Sequence, residues 1–366
     1  MHTSRPRLTH PTRNSRHGPA ATVRPSTTAG PSRFGRSRLW HDGRMRILIM
    51  GGTRFVGFHF ADAAIAAGHD VTLLHRGRSG AHLLPEATHL IADRDADLSV
   101  LNGREWDATV DVSAYYPRQI RDLAAALGPG AAGRYLLVSS LSVYDTPATP
   151  RYTEDSPLRP ADGPEPEAVT ADTYGILKVQ CERAARQAFG PDTLLVRPTY
   201  VIGPQDYTRR FDYWVQRLAR GGEVLAPGRP DAPIQVVDAR DLAAWMLALL
   251  ERKASGAYHA ATPPPHTMGD LLAAVASAVA PDGTAITWVA EDFLRAADVP
   301  ERALPLWPAH PMVLATSTAD PAAALATGLT LRPVAETARD IPAFEPLPDT
   351  LTPDREAELL AAWHRR

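Results

Sequence analysis

The sequence predicts an α/β protein whose core is a doubly wound parallel sheet. Short apolar runs alternate with helical patterns from about residue 46 to residue 260, which is the order that right-handed strand–helix–strand units produce. A glycine-rich turn directly follows the first apolar run. The composition is that of an ordinary globular chain, with 44% hydrophobic and 22% charged residues over 366 positions. That length suits about two domains.

The strands and helices follow from apolar periodicity and from the residues that end each pattern. Strands are predicted at residues 46–50, 70–74, 88–92, 107–112, 134–138, 193–197, 234–237 and 257–260. Helices are predicted at residues 58–67, 95–101, 117–127, 173–189, 209–220, 241–251, 268–279 and 353–363. Residues 147–169 are rich in proline and acid and lack an apolar period, so we expect a loop that lies over a site.

The first 44 residues differ in composition from the rest. They contain nine arginines and one acid, Asp42, and lack a periodic apolar pattern, so we expect a disordered extension, with Met45 as the working start. The remaining chain then carries a formal charge of −10, since the whole carries −2. An acidic body argues against a nucleic-acid partner, which requires a basic face. No apolar run approaches the roughly 18 residues that span a bilayer.

The glycine-rich turn predicts a dinucleotide site. After the strand at 46–50 the chain reads Gly-Gly-Thr-Arg-Phe-Val-Gly, residues 51–57. Glycines at this place allow a tight turn, close approach of a pyrophosphate and packing of the next helix. The free N–H groups and the dipole of that helix favour phosphate. The candidate cofactor residues in the turn are Gly51, Gly52, Thr53, Arg54, Phe55, Val56 and Gly57.

The end of the second strand indicates which cofactor is preferred. A site for NAD usually carries Asp or Glu here, whereas this chain reads His75-Arg76-Gly77-Arg78. A guanidinium suits the 2′-phosphate of NADP(H), which a carboxylate would repel. Arg76 therefore predicts NADP(H) in preference to NAD(H). The alternative is that Arg76 stacks on the adenine or points into solvent.

Tyr174 and Lys178 are the candidate acid/base pair. At i and i+4 on a helix they lie on one face. A phenol is a weak base at neutral pH, but a neighbouring ammonium favours the phenolate, which can exchange a proton with a carbinol or carbonyl oxygen. The chain has only two lysines, Lys178 and Lys253, and ten tyrosines. Chance alone would give about 0.05 Tyr-x-x-x-Lys matches.

Three serines, Ser139, Ser140 and Ser142, follow the fifth strand, at the edge where open α/β sheets bind ligands. One of them is predicted to donate a hydrogen bond to the substrate oxygen, although such a cluster also serves turns. The histidines show no metal-ligand spacing, so no metal is predicted. The single cysteine, Cys181, cannot form an internal disulfide and fits a cytoplasmic protein.

These motifs together resemble the extended short-chain dehydrogenases/reductases, also called the NAD-dependent epimerase/dehydratase family, from about Met45 to Ala261. The resemblance rests on Gly-Gly-Thr-Arg-Phe-Val-Gly at 51–57, Ser-Ser-Leu-Ser-Val-Tyr at 139–144, Tyr-Gly-Ile-Leu-Lys at 174–178 with Glu182, Arg-Pro-Thr-Tyr-Val-Ile-Gly-Pro at 197–204 and Val-Asp-Ala-Arg-Asp-Leu-Ala at 237–243. It implies that Ser140 is the catalytic serine, Tyr174 the acid/base and Lys178 its partner on the cofactor. Asp93 resembles the acid that contacts the adenine.

The chain departs from the family pattern in places. Arg54 stands where a third glycine is usual, and this variant resembles a subgroup of actinobacterial reductases and chloroplast stem-loop-binding proteins. Asp145 replaces a glycine, and Tyr200 and Ile202 replace Asn and Tyr. Those changes argue against a standard nucleotide-sugar pocket.

We therefore expect a Rossmann-type dinucleotide-binding domain at 45–261, with part of the substrate lobe inserted near 204–232, and a smaller C-terminal α+β substrate lobe at 262–366. The predicted function is NAD(P)-dependent hydride transfer at a hydroxyl or carbonyl of a small polar metabolite, with a sugar-linked metabolite as one option. A nucleotide-sugar epimerase or dehydratase is one alternative; a non-catalytic cofactor-sensing or RNA-binding relative is another. No membrane partner is expected, and the oligomeric state stays open, with a homodimer as one option.

Overall fold

The computed structural model describes residues 43–145, 151–307, 317–343 and 349–366. The predicted disordered extension, apart from its last two residues, lies outside this part of the chain. The strands are β1 Arg46–Met50, β2 Asp70–His75, β3 Thr88–Ile91, β4 Ala108–Asp111, β5 Arg134–Val138, β6 Leu194–Pro198, β7 Tyr200–Ile202, β8 Glu223–Pro227, β9 Val236–Asp238, β10 Gly256–Ala260 and β11 Ala285–Val289.

The helices of the described residues alternate with these strands. They are α1 Phe55–Ala66, α2 Pro117–Leu127, α3 Ala171–Phe189, α4 Arg210–Ala219, α5 Ala239–Glu251, α6 Met268–Val279, α7 Glu291–Ala296, α8 Ala322–Ala326, α9 Val334–Arg339 and α10 Pro353–His364. Short 3₁₀ helices lie at Ala81–Leu83, Ser99–Leu101, Leu141–Val143 and Glu301–Ala303.

Seven strands form one parallel sheet in the order β10-β6-β5-β4-β1-β2-β3. Helix α1 packs against α5, and α2 packs against α3. The strand order reverses between β1 and β4, and the crevice at such a reversal is where doubly wound sheets bind ligands. The predicted doubly wound, Rossmann-type α/β fold is confirmed.

One predicted helix, at residues 95–101, is wrong. The structure has only the 3₁₀ turn Ser99–Leu101 there. Asp93 accepts the backbone N–H of Asp95 at 3.1 Å, and Asp97 accepts both the N–H and the hydroxyl of Ser99, at 2.8 and 2.7 Å. These local side-chain bonds compete with the helical ladder, so the segment turns instead of winding.

The acid-rich segment after residue 150 is a loop, as predicted, since its described residues form no helix or strand, but its position differs from expectation. Its residues 161–167 lie against α2 and α3: Arg118 and Arg121 of α2 pair with Glu165, and Arg183 of α3 pairs with Asp162. No residue of 151–169 lines the candidate cleft described below. Residues 146–150 lie outside the described part of the chain.

Outside the seven-stranded sheet, an apolar core lies between α4, α6, α10 and the strands β8 and β9. Phe211, Trp214 and Leu271 are fully buried in it. Strands β8 and β11 pair parallel, as do β7 and β9. The buried pair Arg217–Glu356, with Nε and Oε2 2.6 Å apart, joins α4 to α10. In the part of the chain that the structure describes, no helix is both long and apolar enough to cross a membrane.

Candidate active site

The turn between β1 and α1 forms a cradle that only glycine permits. Gly51 and Gly52 have φ angles of +108° and +86°, values that side chains rarely adopt. A Cβ at Gly52 would lie 2.7 Å from Cδ2 of Leu73, and one at Gly57 would lie 2.7 Å from the backbone nitrogen of Gly52. Helix α1 therefore packs directly on the turn. Because the glycines carry no side chains, a ligand's phosphates could approach the backbone at the end of β1.

The start of α1 offers donors to such a ligand. Arg54 is the extended N-cap residue and no side chain caps the helix, so the N–H groups of its first turn have no partner inside the helix. Phe55 is buried and adopts a φ of +42°, a strained conformation of the kind found at binding sites. A dinucleotide fits this cradle: Gly51, Gly52 and the backbone of residues 53–57 would hold its diphosphate.

Two further predicted cofactor residues follow the neighbouring strands at the same edge. Arg76 directly follows β2 and is exposed, and within the described residues it forms no ion pair. The N–H of Gly77 donates to Nδ1 of His75 at 3.0 Å and fixes the turn that carries Arg76. Asp93, half-buried, lies just beyond the end of β3.

Tyr174 and Lys178 lie one turn apart on α3, as predicted. Lys178 is buried, and its Nζ donates to the carbonyl oxygens of Ala114 at 2.8 Å and Val138 at 3.0 Å. These carbonyls follow β4 and end β5, so the ammonium is fixed at the carboxyl edge of the sheet. It lies 5.8 Å from the ring centroid of Tyr174 and 5.3 Å from that of Tyr115.

The structure separates the roles of the three serines. Ser139 is buried, and its hydroxyl donates to Oε1 of Glu182 at 2.6 Å, so this group supports the fold. Ser140 is half-buried, accepts the N–H of Ser142 at 3.1 Å and donates to the Ser142 hydroxyl at 3.1 Å. Ser140, Tyr174 and Lys178 line one cleft of about 930 Å³.

Sequence reasoning missed many of the residues that line this cleft. They are Tyr115, Tyr207, Thr208, Arg210, Glu301, Arg302, Pro305, Leu306, Trp307, Asp349 and Thr350. One signal was available for Tyr115, which follows β4 at the carboxyl edge. Burial and the neighbouring Tyr207 raise the pKa of Tyr115, so its phenol stays protonated at neutral pH. Among the described residues, no group of three or more His, Cys, Asp or Glu side chains is placed to hold a metal ion.

A buried acid lies in the first turn of α4. Asp212 is 2% exposed, and its Oδ1 has no hydrogen-bond partner among the described residues. Burial, and next the charge of Asp206, raise the pKa of Asp212 to about 7, against an opposing effect of Arg209. The folded protein therefore binds a proton here that the unfolded chain, with an ordinary carboxyl pKa of 3.8, has lost by neutral pH.

We expect Asp212→Asn to stabilise the protein above pH 7. A raised carboxyl pKa gives stability that is present at low pH and is lost as the pH rises through the folded value. Removal of the charge should raise the free energy of unfolding at pH 8 by up to about 4 kcal/mol, and by clearly less at pH 5. Urea unfolding at both pH values measures this. The exposed Asp282→Asn is the control; equal pH dependence in the two variants would contradict the assignment.

The fold and the glycine cradle define the class of Rossmann-type dinucleotide-binding enzymes. The chain belongs to the NAD dependent epimerase/dehydratase family, whose model matches residues 47–261. The resemblance predicted from the motifs is thus confirmed, and the reactions of this family depend on a nicotinamide cofactor.

A similar curated protein is the chloroplast stem-loop binding protein of 41 kDa b from Arabidopsis thaliana. It is 28% identical over 222 residues, which are 56% of this chain and 55% of that protein. The match therefore spans about half the length of this relative.

Solved structures resemble the chain over most of its length. The human epimerase family protein SDR39U1 with NADPH is 23% identical with a TM-score of 0.60, covering 81% of this chain and 100% of that one. WbmH of Bordetella bronchiseptica with NAD+ is 18% identical with a TM-score of 0.59, covering 81% and 97%. A UDP-N-acetylglucosamine 4-epimerase of Methanobrevibacter ruminantium is 17% identical with a TM-score of 0.62, covering 81% and 96%. At these identities the likeness shows the shared fold.

Proposed function

We propose that this protein is an NADP(H)-dependent oxidoreductase that acts on a hydroxyl or carbonyl group of a small polar metabolite. The observation that carries the proposal is that Tyr174, Lys178 and Ser140 line one cleft at the carboxyl edge of the sheet, where the glycine cradle also opens. The bound cofactor supplies the hydride acceptor or donor. The protein's own side chains supply the proton transfer and the orientation of the substrate.

Tyr174 is the proposed acid/base at the substrate oxygen. Its side chain is half-buried in the cleft, so the phenol hydroxyl can exchange a proton with a bound carbinol or carbonyl. The ammonium of Lys178, fixed by two main-chain carbonyls, lies 5.8 Å from the centroid of the Tyr174 ring. A third N–H of Lys178 is left for a cofactor hydroxyl, since an ammonium has three donors. The Ser140 hydroxyl, which donates to Ser142 in this structure, would turn its proton to the substrate oxygen.

The test is direct. The purified protein is incubated with NADPH or NADP+ and a panel of ketones, alcohols and nucleotide sugars, and cofactor absorbance is followed together with product analysis. Stoichiometric change in absorbance with one class of substrate supports the oxidoreductase. If no member of the panel is turned over although the cofactor binds, the proposal fails.

An epimerase or dehydratase is the second candidate, because family membership favours it. The first step would use the same Tyr174 and Lys178, but the cofactor would return to its starting state. Product formation without net change in absorbance identifies this outcome. A stem-loop RNA partner, suggested by the name of the Arabidopsis thaliana relative, is disfavoured by the formal charge of −10 on residues 45–366.

Cofactor choice depends on Arg76. This exposed guanidinium follows β2 with no carboxylate beside it in the sequence, so it can give a 2′-phosphate a charge-assisted hydrogen bond. Such a bond contributes about 1.5–3 kcal/mol, roughly one to two decades in affinity. Among the similar structures one contains NADPH and another NAD+, so the fold alone leaves the choice open.

We expect Arg76→Ala to weaken NADPH binding by roughly ten- to a hundredfold and to leave NADH binding nearly unchanged. Titration of both cofactors by protein fluorescence measures the difference. Arg104→Ala is the control, because Arg104 is an exposed arginine that precedes β4 and so lies at the opposite edge of the sheet. The assignment fails if wild type binds the two cofactors equally, or if Arg76→Ala weakens both alike.

A further inference from the structure

Arg54, the residue that replaces a glycine in the phosphate-binding turn, lies against an aromatic ring from a distant part of the chain. Its guanidinium carbon is 4.1 Å from the ring centroid of Tyr207. Tyr207 belongs to the loop between β7 and α4 and is 52% exposed, unusually open for so large a side chain. The contact therefore joins the start of α1 to a side chain that lines the cleft.

The loop that carries Tyr207 is held in place by hydrogen bonds within the loop and by one hydrogen bond to α1. His59 of α1 bonds through Nε2 to the carbonyl oxygen of Pro204 at 2.9 Å. Asp206 accepts the N–H of Thr208 at 2.8 Å and its hydroxyl at 2.7 Å. Burial lowers the pKa of His59, so the ring is neutral and its Nε2–H donates to that carbonyl. Tyr207 thus projects from a braced turn that is anchored to α1 itself.

Tyr207 also adjoins the catalytic side of the cleft. Its side chain neighbours that of Tyr115, and the ring of Tyr115 faces the Lys178 ammonium at 5.3 Å and the ring of Tyr174 at 6.3 Å. Tyr207 therefore lies between the phosphate-binding turn and the proposed acid/base pair.

We propose that Tyr207 is a positioning residue that holds the Arg54 guanidinium at the phosphate-binding turn, so that the pair slows release of the bound dinucleotide. A free arginine side chain loses rotamer entropy when it is fixed. Because the Arg54 guanidinium already stacks on the Tyr207 ring, this entropy is lost before the ligand binds. The positive charge is therefore preorganised for the ligand. This inference rests on the dinucleotide binding proposed above.

The measurement is the dissociation rate of NADPH in a stopped-flow displacement experiment that follows nucleotide fluorescence. We expect Tyr207→Ala to raise this rate about three- to tenfold, the range of a cation–π contact of about 0.7–1.4 kcal/mol. Arg54→Ala should raise it at least as much, because it removes the charge as well. The double variant should dissociate no faster than Arg54→Ala, since Tyr207 acts only through Arg54.

A conservative variant of Tyr207 shows whether the ring or the hydroxyl matters. Tyr207→Phe keeps the ring and should dissociate at the wild-type rate, while loss of the hydroxyl next to Tyr115 should have no effect. Arg366→Ala is the control: this arginine stacks on Trp363 with its guanidinium carbon 5.2 Å from the ring centroid, at the end of α10 and outside the cleft. Its dissociation rate should equal that of wild type.

Three results would overturn the inference: an unchanged rate in Tyr207→Ala, a Tyr207→Phe rate as fast as that of Tyr207→Ala, or effects of Arg54→Ala and Tyr207→Ala that multiply in the double variant. Each leaves dinucleotide binding intact. If wild type binds neither NADPH nor NADH, the proposed function fails and this inference fails with it. The two failures are therefore distinguishable.

Discussion

Tyr174→Phe is expected to lower turnover by at least about 10²-fold with little change in cofactor affinity. The substitution removes the transferable proton and keeps the ring in place on α3. Lys178 is fixed by the carbonyls of Ala114 and Val138 independently of Tyr174, so the geometry at the sheet edge should persist. Steady-state rates with a substrate found in the panel, and a cofactor titration of the same variant, measure the two effects.

The matched control is Tyr258→Phe. Tyr258 is a half-buried tyrosine on β10 that packs edge to face on Trp245 with ring centroids 5.8 Å apart, and it does not line the cleft. Its turnover should equal that of wild type. Near-normal turnover in Tyr174→Phe would place the acid/base elsewhere, whereas equal losses in both variants would indicate general damage to the fold.

Much of the fold follows from local sequence because buried parallel strands are short apolar runs with clear ends. Strands β1 and β5 and helices α2 and α6 have the predicted bounds, and most of the others differ by one or two residues. The failure at residues 95–101 has a local cause, since the Asp97 carboxylate accepts both the N–H and the hydroxyl of Ser99 in a turn. An apolar count takes no account of that competition between side chain and backbone.

The candidate site could be predicted only where its residues are close in sequence. Tyr174 and Lys178 are related by helical spacing, and the glycine turn is a continuous motif. Arg54 and Tyr207, by contrast, meet across two separate segments, and no spacing rule relates them. The serine cluster was likewise ambiguous, because only the position of Glu182 shows that the hydroxyl of Ser139 is already bonded.

The family motifs contain Glu182 and Arg197, but the sequence does not show that they form a buried ion pair. Arg197 is 2% exposed and Glu182 is 1% exposed. The pair is bidentate, with Nε–Oε1 2.9 Å and Nη2–Oε2 2.7 Å. Arg197 also donates to the hydroxyl of Tyr144. The bonds with Glu182 outweigh burial and raise the pKa of Arg197, so the guanidinium stays charged.

Glu182→Ala is expected to lower the free energy of unfolding by about 3–5 kcal/mol, because it leaves the Arg197 guanidinium buried without its counter-charge. The double variant Glu182→Leu with Arg197→Met should recover part of that loss, since apolar side chains remove the desolvation cost of both charges but also remove the acceptor of the Ser139 hydroxyl. Urea unfolding of the cofactor-free protein at pH 7 measures the three free energies.

The surface pair Arg229–Asp231 is the control for this experiment. Its side chains are 76% and 69% exposed, with Nε and Oδ1 3.2 Å apart, so solvent screens the interaction and Asp231→Ala should change stability by less than about 1 kcal/mol. A double variant as unstable as Glu182→Ala would show that the loss comes from cavity formation and not from the unpaired charge. The Glu182–Arg197 ion pair joins α3 to β6. Because Glu182 lies one turn after Lys178, we also expect α3 to be held less firmly against the sheet in Glu182→Ala.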